Sequence, residues 1–316
     1  MLRTMASLAV LAAALASSCV SAETLKVAVA QRGFWNSTLV DIATKQGYFK
    51  DANLDIEVIY TQGGASTLQP LITGNVDIAM SNGILGVIAA YSKGMPVRII
   101  SPEGTGASEA FWYARSDSGI KSLKDLEGKT IAFSSPGSST NLILLQMLQQ
   151  AKVSAKMVPT GGAPATLTQV MTKQIDAGWS VPPFVLKQRA DGEVVIIARG
   201  SDVNALRQQT IRVNVANAGA LQAKRDAMTR YLKALSRAID WAYSDPHAID
   251  NYAEIAKVPH AFAQQTRDEF FPKESMQLTD VKGLALTLKQ AHEFKYTTTE
   301  LTQKDVAGLF DVLLKR

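Results

Sequence analysis

GGASTLQPLITGNVD, residues 63–77, and GAPATLTQVMTKQID, residues 162–176, are one pattern written twice at an offset of 99 positions. Gly63 falls on Gly162, Thr67 on Thr166, Leu68 on Leu167, Thr73 on Thr172 and Asp77 on Asp176, while Leu71, Ile72 and Val76 meet Val170, Met171 and Ile175. Apolar residues at helical spacing that run into a short apolar stretch read as a helix feeding a strand. A helix-to-strand unit recurring at a fixed offset points to two lobes of similar build.

The flanking sequence extends both copies in the same order. Residues 25–30 (LKVAVA) read as a strand, Asn36 and Ser37 as the cap of a helix through Leu39, Ile42 and Ala43 that stops near Gly47, and Leu54, Ile56, Val58 and Tyr60 as an alternating strand. Residues 76–80 make a third strand, and a helix with Leu85 and Ile88 ends at Gly94 before a strand at 97–100. The order restarts with a strand at 130–134, a helix opened by Pro136-Gly137-Ser138-Ser139-Thr140 and carrying Leu142, Leu145 and Leu148, and a strand at Met157-Val158. Strands alternating with helices indicate an α/β chain of doubly wound lobes.

The chain is expected to cross between lobes at Pro102-Glu103-Gly104-Thr105-Gly106 and to return near 202–209, with a strand at 210–215 re-entering the first lobe. That divides it into an export signal at 1–22, the first part of lobe I at 23–105, lobe II at 106–207, and the return to lobe I with C-terminal helices at 208–316. The helical periodicity runs through Tyr231, Leu235, Ile239 and Trp241, then Leu284 and Leu288, then 309–313. Two crossings make a hinge, and a hinge between similar lobes makes a cleft.

The chain has 316 residues, 47% hydrophobic and 19% charged, enough apolar material for a large core. Its formal charge of +5 is scattered along the chain, which argues against nucleic acid as a partner. The single cysteine, Cys19, excludes a disulfide scaffold and cysteine-based zinc sites, and His247, His260 and His292 match no metal spacing. Arg3, the apolar run 8–15 and Val20-Ser21-Ala22 read as a secretory signal cut after Ala22. The rival reading is lipidation of Cys19, but Ala16 stands where a large aliphatic residue is expected.

In open α/β sheets ligands bind beyond the carboxyl ends of the strands. Two loops there stand out: 31–37, with Arg32, Phe34, Trp35 and Asn36, and 134–140, with Ser138, Ser139 and Thr140. Each is expected to aim the positive end of a helix, with free N–H groups and hydroxyls, at an anion such as a sulfonate, carboxylate or nitrate. One hydroxyl of the serine-threonine run suffices as a cap, which leaves two to spare. Ser81, Asn82 and Gly83 end a first-lobe strand, and Trp179 lies at the matching strand end of the second lobe. Phe34, Trp35 and Trp179 read either as an apolar wall or as loop anchors. Arg212 could neutralise an anion, and Glu103 could either meet the ammonium of a zwitterion or cap the turn that follows it.

The phrases GYFKDANLDIEV (47–58), LQPLITGNVDIAMSN (68–82), GMPVRIIS (94–101), SGIKSLKDLEGKTIAFSSPGSST (118–140) and QIDAGWSVPPF (174–184) together resemble the nitrate, sulfonate and taurine class of ABC-transporter substrate-binding proteins. The thiamine-pyrimidine binders are similar. The resemblance runs from about Thr24 to about Ala198. It implies a type II periplasmic binding fold that closes over a small ligand and delivers it to an inner-membrane ABC permease, without fixing the ligand; the cleft residues make that ligand anionic or zwitterionic, sulfonate- or taurine-like, and the chain is expected to be a periplasmic monomer with neither cofactor nor metal. Nitrate or a pyrimidine are the alternative ligands. A pyrimidine-synthase-like enzyme is the rival class, although neither cleft loop offers the cysteine or histidine that nucleophilic or imidazole-base chemistry uses. A signalling receptor is a third class, for which the chain carries no signalling domain.

Overall fold

A computed structural model describes residues 21–315; of the expected signal at 1–22, all but Ser21 and Ala22 lies outside the described residues, Cys19 included. The chain opens with β1 (Glu23–Ala30), α1 (Trp35–Lys45), α2 (Tyr48–Asp51), β2 (Leu54–Thr61), α3 (Leu68–Ile72), β3 (Ile78–Gly83), α4 (Ile84–Ser92) and β4 (Val97–Thr105). It continues through β5 (Phe111–Arg115), β6 (Thr130–Phe133), α5 (Ser139–Ala151), β7 (Lys156–Pro159), α6 (Ala163–Met171), β8 (Ala177–Ser180), α7 (Leu186–Ala190) and β9 (Val194–Arg199). β10 (Thr210–Asn217) is followed by the helices α8 (Ala218–Ser244, broken at Lys224), α9 (Ala248–Ala256), α10 (His260–Gln265) and α11 (Leu284–Glu293).

The strands form two five-stranded sheets, ordered β2-β1-β3-β10-β4 and β7-β6-β8-β5-β9. In each, the strand that enters after a crossing is antiparallel to both its neighbours: β5 to β8 and β9, β10 to β3 and β4. β3 and β10 are buried almost throughout, as strands covered by helices on both faces must be, whereas the edge strand β2 buries Leu54 and exposes Asp55, Glu57 and Ile59. α8 packs over α1 and α2, where Tyr231 stacks on Phe49 at 5.3 Å, and α11 packs on α4.

The duplicated pattern has a structural cause. Asp77 and Asp176 play one part twice: each carboxylate accepts from the backbone N–H of the neighbouring strand, Lys26 at 2.9 Å and Thr130 at 2.8 Å. Thr67 and Thr166 are fully buried and donate to the carbonyls of Gly64 and Gly162, at 2.6 and 3.1 Å.

The structure departs from the sequence reading at several places. Asn36 and Ser37 do not cap α1: the helix starts at Trp35 with Phe34 as its flanking residue, and the Ser37 hydroxyl donates to the Ala30 carbonyl instead. The third strand begins at Ile78, and β4 runs on through Pro102 and Glu103 to Thr105 because β10 pairs alongside it, Thr210 opposite Thr105. Glu103 therefore sits in a strand and caps no turn. Residues 310–314 are extended where a helix was expected; the backbone N–H groups of Asp311 and Leu313 donate to the carbonyls of Ile99 and Ile100, both at 2.9 Å.

Candidate functional site

The carboxyl ends of β1 and β3 in the first sheet and of β6 and β8 in the second converge on a cavity of about 40 Å³. It is lined by Ala30, Phe34, Asn36, Gly63, Gly64, Ser81, Ser134, Ser138, Ser139, Thr140, Trp179, Val181 and Arg212. That volume has room for roughly three waters. The starts of α1 and α5 both face it, and both helices exceed ten residues, long enough for their unpaired first N–H groups to carry a positive partial charge.

Each hydroxyl at the start of α5 has its own task. Ser138 Oγ accepts from Asn141 N at 3.2 Å as the cap, and Thr140 Oγ1 accepts from Ser134 N at 3.0 Å and lies 3.0 Å from Ser138 Oγ. Ser139 alone of the three has a side-chain hydroxyl without a partner among the described residues. The run thus leaves one spare hydroxyl where the sequence suggested two.

Trp179 supplies the second free donor. Its side chain is 2% exposed and lines the cavity, yet Nε1 has no acceptor among the described residues. The other fully buried tryptophans are satisfied: Trp35 Nε1 donates to Tyr243 Oη at 3.0 Å and Trp112 Nε1 to the Ala132 carbonyl at 2.8 Å. A buried N–H left unpaired costs about 1–3 kcal/mol.

Arg212 reaches the cavity wall from β10 but is not a free cation. Its Nε lies 3.2 Å from Glu103 Oε2, and its Nη1 pairs with Glu109. Burial opposes the guanidinium charge, but Glu109 and Glu103 more than offset it and hold the Arg212 pKa above its ordinary value. Glu103 Oε1 is itself held by Asn36 Nδ2 at 2.7 Å and Ser81 Oγ at 3.1 Å. One guanidinium between two carboxylates carries no net positive charge, so an anion here would be held by directed donors rather than by bulk charge.

The structure brings Phe34, Asn36, Ser81, Ser138, Ser139, Thr140, Trp179 and Arg212 together at this cavity, with Glu103 one bond behind. It sets the other candidates elsewhere. Arg32 is exposed and lies over the Tyr60 ring at 4.2 Å. Trp35 is fully buried in the first body against Tyr243 and Tyr252. Asn82 accepts from Thr67 Oγ1 and donates to the Ala79 carbonyl, bracing β3. Gly83 serves the contact between the two bodies: a Cβ built there would lie 2.2 Å from the Gly137 carbonyl oxygen. Sequence reasoning missed Glu109, although it lies just past the expected crossing, and the wall residues Gly63 and Gly64, which stand at the head of the duplicated stretch; Ser134 lies in the loop 134–140 that it did single out. Among the described residues no cluster of three His, Cys, Asp or Glu side chains is placed to hold a metal ion, and no helix is long and apolar enough to cross a membrane.

With this geometry in place, comparison with known proteins is informative. The profile of the family described as NMT1/THI5 like matches residues 35–249, more than half of the chain. The phosphate-import protein PhnD of Mycolicibacterium smegmatis is 26% identical over 159 residues, which cover 45% of this chain and only half of that protein's length (50%). Among solved structures, the alkanesulfonate-binding protein SsuA from Xanthomonas axonopodis pv. citri bound to MOPS superposes with a TM-score of 0.77 at 18% identity, covering 92% of this chain and 98% of that one. The periplasmic nitrate-binding protein NrtA from Synechocystis PCC 6803 gives 0.71 at 14% identity, covering 91% and 86%. The two-sheet architecture is thus the periplasmic binding protein fold.

Proposed function

The chain belongs to the NMT1/THI5 like family, and on that premise we propose that it is an extracytoplasmic solute-binding protein. In this reading, lobe I (23–105 and 208–316) and lobe II (106–207) close over a compact molecule with an oxyanion head, sulfonate- or taurine-like, and deliver it to an ABC permease. The observation that supports the reading is the buried, unpaired Nε1–H of Trp179, a residue in the wall of the small cavity that also meets the spare Ser139 hydroxyl and the starts of α1 and α5. Four convergent donors with no net positive charge behind them suit an acceptor-rich head whose charge is spread over several oxygens, and the two carboxylates flanking Arg212 make a zwitterion at least as suitable as a bare anion. The relatives named above are described by what they import or bind, which favours capture and release over turnover.

A thermal-shift screen tests the reading directly. Methanesulfonate, taurine, methylphosphonate, phosphate, nitrate and an aminopyrimidine are each titrated against the wild type and Trp179→Phe. A ligand at 100 times its Kd adds about 2.7 kcal/mol, a shift of several degrees in Tm. At least one oxyanion is expected to stabilise the wild type and to do so far less in Trp179→Phe, and the ligand is to be recovered chemically unchanged. Stabilisation by the aminopyrimidine alone, or a product formed from the ligand, would overturn the assignment.

A further inference from the structure

The C-terminal segment reaches across the cleft at one point. α11 packs on α4 and so belongs to the body of the first sheet. Just past its end Lys295 adopts a left-handed φ of 62°, and the N–H groups of Tyr296 and Thr297 both donate to the Ala291 carbonyl, at 2.7 and 3.0 Å. This turn fixes the direction in which Tyr296 leaves the helix. The tyrosine hydroxyl then accepts from Gly137 N at 2.9 Å and donates to Asn141 Oδ1, both in the other body. Two turns along the same face of α5, Gln149 Nε2 donates to Glu293 Oε1 at 2.7 Å, so the end of α11 grips α5 at two places.

What Tyr296 grips is the piece of backbone that makes the site. Gly137 and Asn141 bracket Ser138, Ser139 and Thr140, and all three of these line the cavity. Gly83 and Gly86 of the first body lie against Gly137 closely enough that a Cβ on either would meet its carbonyl oxygen at 2.2 or 2.8 Å. The phenol is largely buried at this junction, and that burial raises its pKa, so it stays a neutral donor and acceptor at physiological pH. A tyrosine serving only to tie down the C-terminal segment would need partners in its own body; both partners of this hydroxyl lie across the cleft.

We infer that Tyr296 is a positioning residue and latch: it locks the Gly137–Asn141 backbone to the first body when the cleft closes, and so slows the escape of whatever the cavity holds. The inference rests on the proposed closure over a ligand. Its test is read in part without any ligand. Spin labels are placed through Lys50→Cys and Lys124→Cys, one exposed position on each body, in a Cys19→Ser background, and interlabel distances are measured with no ligand and with saturating taurine or the best ligand of the screen. Tyr296→Phe keeps the ring and loses the hydroxyl, Asn141→Ala removes the partner from the other side, and neither residue's side chain lines the cavity.

Each variant is expected to populate longer distances than the wild type in at least one of the two conditions, with the double variant no wider than the wider single. Ligand dissociation is expected to quicken about three- to tenfold while association changes less than twofold. Distance distributions identical to the wild type in both conditions overturn the latch, whatever the kinetics. If no ligand emerges from the screen, the solute-binding reading fails on the wild type alone, and the ligand-free distances still decide the latch: longer in Tyr296→Phe supports it, unchanged overturns it.

Discussion

Three adjacent hydroxyls at the start of α5 look alike in sequence and differ in what they touch. Thr140 Oγ1 satisfies the Ser134 N–H at the end of β6, and Ser138 caps the helix, so only Ser139 is available to a ligand. Ser139→Ala is therefore expected to weaken ligand affinity about tenfold in calorimetry while the ligand-free Tm barely moves, since a hydrogen bond to a charged group is worth about 1.5–3 kcal/mol. Thr140→Ala is expected to lower the ligand-free Tm instead, because it strands a buried N–H at a cost of about 1–3 kcal/mol. The opposite pattern in the two melts and titrations would exchange their assignments. That this run would line the cleft was legible from its hydroxyl density; which hydroxyl is spare was not, because the deciding partner is the backbone of Ser134. Phe34, Trp35 and Asn36 make the same point. Phe34, still extended before the helix, and Asn36 line the cavity while Trp35 between them is buried against Tyr243 and Tyr252, and nothing in the loop's composition announces where the helix begins. Trp179 was singled out by its strand-end position, but its unpaired Nε1 exists only once β8 is packed.

At the scale of elements, the duplicated pattern was readable because its parts are local: a helix, the acidic residue after it, and the strand. The Asp77 and Asp176 carboxylates and the Thr67 and Thr166 hydroxyls serve matching backbone groups in the two sheets. The elements that join the bodies were read less well. Pro102 and Gly104 look like strand breakers in isolation, yet β4 continues past both because β10, arriving a hundred residues later, supplies ladder partners with local shifts in register. The extended 310–314 segment likewise finds its partners on Ile99 and Ile100, invisible to a periodicity taken along the chain. Gly83, at the junction of β3 and α4, has an ordinary φ of −63°, so its backbone would accept alanine without strain. The 2.2 Å approach to the Gly137 carbonyl, a contact across the two bodies that an opening cleft would relieve, is what forbids a side chain there. Gly83→Ala should leave the ligand-free Tm near that of the wild type and lower affinity at least tenfold, with scattering showing that saturating ligand no longer reduces the radius of gyration. An unchanged affinity would mean that the contact at Gly137 is not part of the bound state.

For the whole molecule, the two sheets share one topology, and the chain links them through neighbouring strands, β4 on the way out and β10 on the way back. Arg212 stands on that return strand, with Glu103 on β4 and Glu109 in the outgoing segment, so one buried ion cluster ties both passages together beside the cavity. Tyr296 closes the opposite rim, gripping the start of α5 from the first body. The two bodies are thus joined by charge at the crossing strands and by a neutral hydroxyl at the start of α5, and Trp179 and Ser139, with an Nε1 and a hydroxyl that have no partner among the described residues, belong to the wall of the cavity between. The overall charge of +5 has no part in this, since the group nearest the ligand space is already neutralised by its neighbours. The most direct probe of the account is the indole N–H signature of the four tryptophans in a proton–nitrogen correlation spectrum, recorded as taurine or the best oxyanion of the screen is added. The resonance missing from the Trp179→Phe spectrum is expected to move downfield as its N–H acquires an acceptor, with those of Trp35 and Trp112, already bonded, staying in place. Saturable binding that leaves the Trp179 resonance untouched would contradict the cavity as the binding site.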